Sequence, residues 1–179
     1  MDTDPYLDVD AKVAQVAAAI KSTCRRLDIP VPEIHMEPGR SIVGAAGLTL
    51  YTCGTVKQIP GYKNYVSIDG GMTDNPRFAL YRASYTCLPA NKMTEPCVLE
   101  ASVVGRCCES GDIIQEHVLL PASIGRGDIV AVCTTGAYNY SMASHYNRLP
   151  KPPVVMLRRG ESYVAVHRES LSDLCRNDV

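Results

Sequence analysis

The stretch LTLYTCGTVKQIPGYKNYVSIDGG, residues 48–71, decides the fold class of this chain. Its two halves, LTLYTCGTVKQI and NYVSIDGG, are rich in the β-branched and aromatic residues that favour strands. The PGYK between them is a turn signal, because proline fixes φ and glycine tolerates the backbone angles that tight turns need. The stretch therefore predicts a β-hairpin.

Further runs downstream have the same β character. Gly-Asp and proline turns separate them at the short intervals typical of a sandwich or barrel. The runs are VLEASVVG (98–105), DIIQEHVLL (112–120), DIVAVCTTGAY (128–138) and PPVVMLRRGESYVAVHRE (152–169). Only PRFALYRA, residues 76–83, is expected to form a short helix. The pattern predicts a mainly β domain, a sandwich or barrel-like sheet, over residues 47–179.

The sequence before residue 47 has a different character. AKVAQVAAAIKSTCRRL, residues 11–27, places apolar side chains at helical spacing, and Asp8 or Asp10 can cap the helix. Prolines end this helix, and a short run at 33–36 is the best strand candidate. A helix followed by a strand and a glycine turn is one piece of an α/β unit.

One helix and one strand cannot close an α/β barrel, because a complete (β/α)8 barrel takes about 250 residues. The chain is therefore expected to be the end of something larger.

Composition excludes several classes of function. The chain has 179 residues, 46% hydrophobic and 21% charged, with a net charge of -1 and a pI of about 6.4. No basic stripe exists to bind a phosphate backbone, so we expect no nucleic-acid partner. The longest apolar runs fall short of the roughly 20 residues that cross a membrane, and MDTDPYLDVD lacks a signal-peptide pattern. We expect a cytoplasmic protein without membrane contact.

Eight cysteines raise the question of disulfides or a metal site. No C-x-x-C pair occurs and no histidine lies at ligand spacing from a cysteine pair, so we expect no metal. Most of the cysteines are predicted to be reduced, buried small hydrophobes. Cys108 is the exception argued below.

Two short motifs carry residues suited to anion binding. In EPGRSIV, residues 37–43, a Pro-Gly turn leads to Arg40, although Pro-Gly pairs are also common in ordinary turns. Arg77 and Tyr81 are four residues apart, so a helical turn would put both side chains on one side. A planar guanidinium suits bidentate carboxylate binding, and a phenol adds a neutral donor.

Four motifs together resemble the meso-diaminopimelate decarboxylases, which belong to the fold-type III pyridoxal-phosphate enzymes. They are EPGRSIV (37–43), DGGMTDNPRFALY (69–81), CESGD (108–112) and GAYNYSMASHYN (136–147). They occur in the order of that family and cover nearly the whole chain. The resemblance implies that residues 1–46 are the remnant of the end of a (β/α)8 barrel. Residues 47–179 are then the C-terminal β domain, which helps to build a homodimer with shared active sites.

The resemblance implies pyridoxal 5'-phosphate as the cofactor. The glutamate matching Glu37 is expected to face the pyridine nitrogen, where a carboxylate keeps the ring protonated and a strong electron sink. Gly39 has no side chain to bar close approach, so its amide and that of Arg40 are expected to meet the phosphate. Tyr138 matches a tyrosine that contacts the cofactor.

The resemblance also implies how meso-diaminopimelate is bound. This substrate has a carboxylate and an amine at each end, so its site needs more than one cation and at least one acid. Arg40 and Arg77 would bind carboxylates with the help of Tyr81 and Tyr138. Glu109 would take the distal ammonium.

Cys108 is the expected general acid. Free thiols have a pKa near 8.5, so most are protonated at neutral pH and can donate a proton. The family's cysteine at this place is thought to protonate the α carbon after carbon dioxide leaves, and it comes from the second subunit. Cys107 has no such match and is expected to pack.

The function implied for the full-length enzyme is conversion of meso-2,6-diaminopimelate to L-lysine and carbon dioxide, a step of lysine biosynthesis. The family's cofactor-binding lysine belongs to the N-terminal barrel, and none of the six lysines here lies in its context. We therefore expect this chain alone to be inactive. The alternatives are a related decarboxylase of ornithine, arginine or carboxynorspermidine, or a non-catalytic β-sandwich interaction module.

Overall fold

The computed structural model describes residues 8–179. It divides into two compact units, Asp2–Pro38 and Gly39–Val179. Residues 1–7, which fall in the predicted barrel remnant, lie outside the described residues. The boundary predicted at residue 46 stays a prediction.

The first unit contains one helix, α1, over Val9–Leu27. Asp8 caps its beginning by accepting a hydrogen bond from the Ala11 amide at 3.0 Å, which confirms the predicted cap. The helix ends at Asp28, which adopts the left-handed conformation with a φ of 51°. Its last turn carries Arg25 and Arg26, which suit the negative end of the helix dipole.

The strand predicted at 33–36 is not formed. Residues 29–39 have no regular secondary structure. A strand is stabilised by hydrogen bonds with a neighbouring strand, and no strand among residues 8–179 pairs with this segment. The prediction was wrong because a short apolar run cannot form a strand without a partner.

The second unit is built on a six-stranded sheet with the order β3-β6-β1-β2-β4-β5. The strands are β1 Leu48–Ile59, β2 Lys63–Ile68, β3 Cys87–Pro89, β4 Cys97–Val104, β5 Ile113–Pro121 and β6 Ile129–Cys133. The neighbours β2 and β4 are parallel, and the other pairs are antiparallel. The end strands β3 and β5 contact each other, so the sheet is nearly closed into a barrel. The predicted barrel-like, mainly β fold is confirmed.

The core of the second unit lies on one face of this sheet. Alternation along β1 turns Tyr51 and Cys53 inward, while Leu50 and Thr52 face outward. Val66 in β2, Val103 in β4 and Ile114 in β5 are fully buried on the same inner face. Their burial removes apolar surface from water, which is the main favourable term in folding.

A separate two-stranded sheet follows, formed by β7 Val154–Arg158 and β8 Glu161–Val166. Three short helices complete the unit: α2 Arg40–Val43 before β1, α3 Arg77–Tyr81 between β2 and β3, and α4 Leu171–Leu174 after β8. Turns of 3-10 helix lie at Gly44–Ala46, Tyr140–Met142 and Tyr146–Arg148. The predicted β1–β2 hairpin and the helix within 76–83 are confirmed. The three-residue strand β3 was not predicted.

The cysteines form no disulfide. Cys24, Cys53 and Cys87 are buried, whereas Cys97, Cys108 and Cys175 are exposed. Burial holds for fewer cysteines than predicted, and the reduced state of the thiols stays a prediction. Within residues 8–179, no helix is long and apolar enough to cross a membrane.

Candidate active site

The predicted anion-binding residues converge on Tyr138. Arg40 begins helix α2 directly after Gly39, and its guanidinium carbon lies 5.8 Å from the centroid of the Tyr138 ring. The guanidinium carbon of Arg77, in helix α3, lies 5.7 Å from the same centroid. Both arrangements are cation–π contacts, which attract a cation to the negative face of the ring. Residues far apart in sequence therefore share one site.

Helix α3 orients the second arginine. Arg77 and Tyr81 are one turn apart, and the Arg77 guanidinium carbon lies 5.1 Å from the Tyr81 ring centroid. Arg77 also donates to the sulfur of Met142 at 3.8 Å. The predicted one-sided placement of Arg77 and Tyr81 is confirmed by this contact.

The two arginines keep hydrogen-bonding capacity for a ligand. Within Gly39–Val179, neither guanidinium forms an ion pair with a carboxylate. The Nε of Arg77 is buried and has no hydrogen-bond partner in this unit. An arginine with unused donors is suited to a carboxylate or phosphate. The pair can therefore bind an anionic ligand.

Gly39 packs against the hydroxyl of Tyr138. A Cβ built on Gly39 would lie 2.0 Å from that oxygen, which no real contact allows. A side chain at this position would force the tyrosine ring to move. Glu37, which is also predicted to hold the cofactor, belongs to the first unit, where it is exposed and outside regular structure.

Cys108 and Glu109 lie in the loop between β4 and β5. Cys108 is exposed, and its backbone amide donates to Oδ1 of Asn147 at 2.6 Å. The Glu109 carboxylate turns back on its own loop and accepts from the Gly111 amide at 3.1 Å and the Ser110 hydroxyl at 3.2 Å. The contacts of these two residues run to their own loop and to Asn147, and do not join the arginine cluster.

Several polar residues around the cluster were not predicted. Tyr85 donates to Oδ1 of Asn139 at 3.5 Å, and the Asn139 amide nitrogen is buried without a partner. Burial raises the pKa of Tyr85, while the nearby Arg77 and Arg40 act against this shift. Asn139 belongs to the GAYNYSMASHYN motif, but no sequence pattern marks its contact with Tyr85, because that contact depends on burial and on neighbours from distant segments.

A buried pair supports the loop that leads into α3. Tyr51 of β1 donates a hydrogen bond from its hydroxyl to Asp74. Burial raises the pKa of both Tyr51 and Asp74. Asp74 also accepts from the Gly71 amide at 2.9 Å. The pair attaches the loop containing residues 70–76 to the sheet.

No metal site is present in the part of the chain that the structure describes: residues 8–179 contain no cluster of three or more potential ligands.

Comparisons with known proteins relate this chain to a family. The family described as "Pyridoxal-dependent decarboxylase, C-terminal sheet domain" matches residues 12–136. The diaminopimelate decarboxylase of Bacillus subtilis (strain 168) is 44% identical over 99% of this chain and 40% of its own length. That of Staphylococcus aureus (strain COL) is 47% identical over 100% of this chain and 42% of its own. The chain thus spans about two fifths of these relatives.

Solved structures of diaminopimelate decarboxylases are also similar to this chain. Diaminopimelate decarboxylase from M. jannaschii in co-complex with L-lysine matches with a TM-score of 0.79 and 31% identity, over 90% of this chain and 37% of that one. The enzyme from Helicobacter pylori complexed with L-lysine matches with a TM-score of 0.74 and 34% identity, over 89% and 38%.

Proposed function

We propose that this chain, which belongs to the pyridoxal-dependent decarboxylases and carries their C-terminal sheet domain, has a specific place in that family. It is the C-terminal part of a diaminopimelate decarboxylase. The full-length enzyme, meaning this chain with its N-terminal barrel, would convert meso-2,6-diaminopimelate to L-lysine and carbon dioxide. The observation that carries this proposal is the convergence of Arg40 and Arg77 on Tyr138. Such a cluster suits this substrate, because each of its ends carries a carboxylate.

The residues present fit pyridoxal 5'-phosphate and its substrate. Arg40 and Arg77 form no ion pair within their unit, and Gly39 leaves space that a side chain would fill. The amides of Gly39 and Arg40 would hold the phosphate, Glu37 the ring nitrogen, and Tyr138 the cofactor. When bound, this cofactor supplies an electron sink for breaking a bond at the α carbon of an amino acid.

Each side chain then has a distinct role. Arg40 and Arg77 bind substrate carboxylates, and Tyr81 and Tyr138 hold the guanidinium groups in place through their rings. Glu109 binds the distal ammonium once it leaves its own loop. Cys108 donates its Sγ proton to the α carbon after carbon dioxide leaves.

We propose a homodimer in which the active sites are shared across the interface. Cys108 is exposed, and the contacts of its loop run to Asn147 and within the loop rather than to the arginine cluster, which supports this arrangement. A cytoplasmic location is proposed with it, because the exposed cysteines Cys97, Cys108 and Cys175 are free thiols.

The alternatives have less support. The curated relatives named above are diaminopimelate decarboxylases, at 44% and 47% identity. The lysine/ornithine decarboxylase complexed with cadaverine from Vibrio vulnificus is 23% identical, and this level of identity supports a shared fold alone. A free-standing interaction module has less support, because these relatives are named as decarboxylases.

Lysine formation tests the proposal. The full-length enzyme with pyridoxal 5'-phosphate should release L-lysine from meso-diaminopimelate, and the purified 179-residue chain should release none. Decarboxylation of ornithine but not of meso-diaminopimelate by the full-length enzyme would contradict the proposed substrate. Lysine production by the 179-residue chain alone would contradict its incompleteness.

Subunit mixing tests the shared sites. Cys108→Ala and Arg77→Ala full-length enzymes should each be inactive, and a mixture of the two should regain about a quarter of the wild-type sites if the residues act in different sites of a dimer. A mixture that exchanges subunits and stays inactive would contradict the sharing.

A further inference from the structure

Asp112 joins two loops of the second unit. Its side chain is buried, with 4% of the residue exposed. Oδ1 accepts a hydrogen bond from the Met72 amide at 2.6 Å, and Oδ2 accepts from the Cys107 amide at 2.7 Å. A single carboxylate therefore holds the loop after β2 and the loop after β4.

Two glycines close the space around this carboxylate. A Cβ built on Gly71 would lie 2.6 Å from an Asp112 oxygen, and one built on Gly105 would lie 2.1 Å from an oxygen. The Gly105 amide also donates to the Asp112 carbonyl at 2.9 Å. The absence of side chains at both positions lets the two backbones approach the carboxylate closely.

Both loops lead directly to residues of the proposed site. From Gly71 the backbone runs to Arg77 through a turn fixed by the hydrogen bond from the Asn75 amide to the Gly71 carbonyl at 2.9 Å. On the other side, Cys107 is the neighbour of Cys108. A shift of the Asp112 carboxylate would therefore move the arginine loop and the thiol loop together.

We infer that Asp112 is a positioning residue, whose two carboxylate oxygens fix the Arg77 loop and the Cys108 loop relative to each other. The roles of Arg77 and Cys108 rest on the proposed function. The attachment of the two loops does not, because it depends only on the observed hydrogen bonds.

The chemistry of the contact requires an acid at this position. Both bonds are donated by backbone N–H groups, so the side chain must offer two acceptors. Asparagine has the same shape but only one acceptor oxygen, and its NH2 group would face an N–H donor. Asp112→Asn should therefore release one of the two loops without changing the volume of the side chain.

The test compares Asp112→Asn with Asp128→Asn in the full-length enzyme. Asp128 is a matched control because its carboxylate also accepts a backbone bond, from the Gly125 amide at 2.8 Å, in the turn before β6. Hydrogen exchange of the Met72 or Cys107 amide should become about tenfold faster or more in Asp112→Asn. It should stay unchanged in Asp128→Asn.

The kinetic arm measures whether the attachment matters for the reaction. kcat/KM for meso-diaminopimelate should fall about 10- to 100-fold in Asp112→Asn, because small misplacements of reacting groups have effects of this size. Asp128→Asn should stay within about threefold of wild type, even where thermal unfolding shows an equal loss of stability. If Asp112→Asn does not fold, Gly71→Ala serves in its place, since its Cβ would press on the same carboxylate.

The outcomes distinguish a failure of the proposed function from a failure of the positioning role of Asp112. A wild-type enzyme that fails to decarboxylate meso-diaminopimelate would overturn the proposed function, while amide exchange would still decide whether Asp112 holds the loops. Unchanged exchange at both amides would overturn the attachment. Faster exchange with unchanged kcat/KM in an active enzyme would overturn the positioning role.

Discussion

Arg40 and Arg77, 37 positions apart in the sequence, place their guanidinium groups over one aromatic ring, that of Tyr138, at 5.8 and 5.7 Å from its centroid. Like charges repel, so two cations gather on one side chain only where something offsets the repulsion. The ring offsets part of it, and a bound anion would offset more. This pair is the physical basis of the proposed site.

The Tyr138 ring should hold the arginines in place. Tyr138→Leu removes both cation–π contacts, so KM of the full-length enzyme for meso-diaminopimelate should rise. The expected rise is about 5- to 30-fold, which corresponds to a loss of about 1–2 kcal/mol of cation–π free energy. Tyr138→Phe keeps the ring and should raise KM less. Equal effects of the two substitutions would show that the ring is not what matters.

Gly39 should not tolerate a side chain. In Gly39→Ala the new Cβ would lie 2.0 Å from the Tyr138 hydroxyl oxygen, so the ring must move and pyridoxal 5'-phosphate should bind at least about tenfold more weakly to the full-length enzyme. Equilibrium dialysis measures this affinity. The control is Gly125→Ala, where the nearest atom to the Cβ is an ordinary 3.8 Å away. Cofactor binding unchanged in Gly39→Ala would contradict the tight packing.

The adjacent cysteines should differ in reactivity. Burial and the nearby Asp112 carboxylate raise the pKa of Cys107 to about 11, and Cys108 is exposed. Because the thiolate is the reactive form, iodoacetamide at pH 8 should alkylate Cys108 well before Cys107 in the purified chain, as followed by peptide mass spectrometry. Raising the pH toward 11 should bring the two rates closer. Faster labelling of Cys107 at pH 8 would contradict its raised pKa.

The sequence predicted the structural features that depend only on residues close together along the chain. The spacing of Arg77 and Tyr81 predicted a shared helical face, and the structure shows their contact at 5.1 Å. The PGYK turn predicted the hairpin of β1 and β2, in which Cys53 lies opposite Ile68. Both features are local, so residue order was enough.

Other features depend on contacts between distant segments. The Asp112 carboxylate meets the Met72 amide 40 positions away, and no pattern in either loop marks that contact. The same limit explains the wrong strand at 33–36, since an apolar run predicts a strand only where a partner strand exists. Strand β3 was missed because three residues are too few to show alternation.

Glu169 should stabilise the fold in a pH-dependent way. Its carboxylate accepts from the Lys151 amide at 2.8 Å and lies 2.6 Å from Nε2 of His145, and these contacts lower its pKa, the Lys151 amide most of all. Because the folded pKa is lower than the unfolded one, the stabilisation is complete above the ordinary value, about 4.3, and is lost as pH falls through the folded value.

Urea unfolding of the wild-type chain and of Glu169→Gln measures how much Glu169 contributes to the free energy of unfolding at each pH. The wild type should be more stable at pH 5, by less than about 1 kcal/mol, and the difference should shrink toward pH 3. Glu161→Gln, which changes an exposed glutamate of β8, is the control and should show little difference at either pH. A difference for Glu169→Gln that does not change with pH would contradict the lowered pKa.

The most direct test of the whole account is the steady-state kinetics of Arg77→Ala in the full-length enzyme with meso-diaminopimelate. Removing a guanidinium that binds a substrate carboxylate should lower kcat/KM about 100-fold or more, whereas Arg159→Ala, in the exposed turn between β7 and β8, should leave it within about threefold. Equal kcat/KM values for Arg77→Ala and wild type would contradict the proposal that this chain binds the two-ended substrate through its arginine cluster.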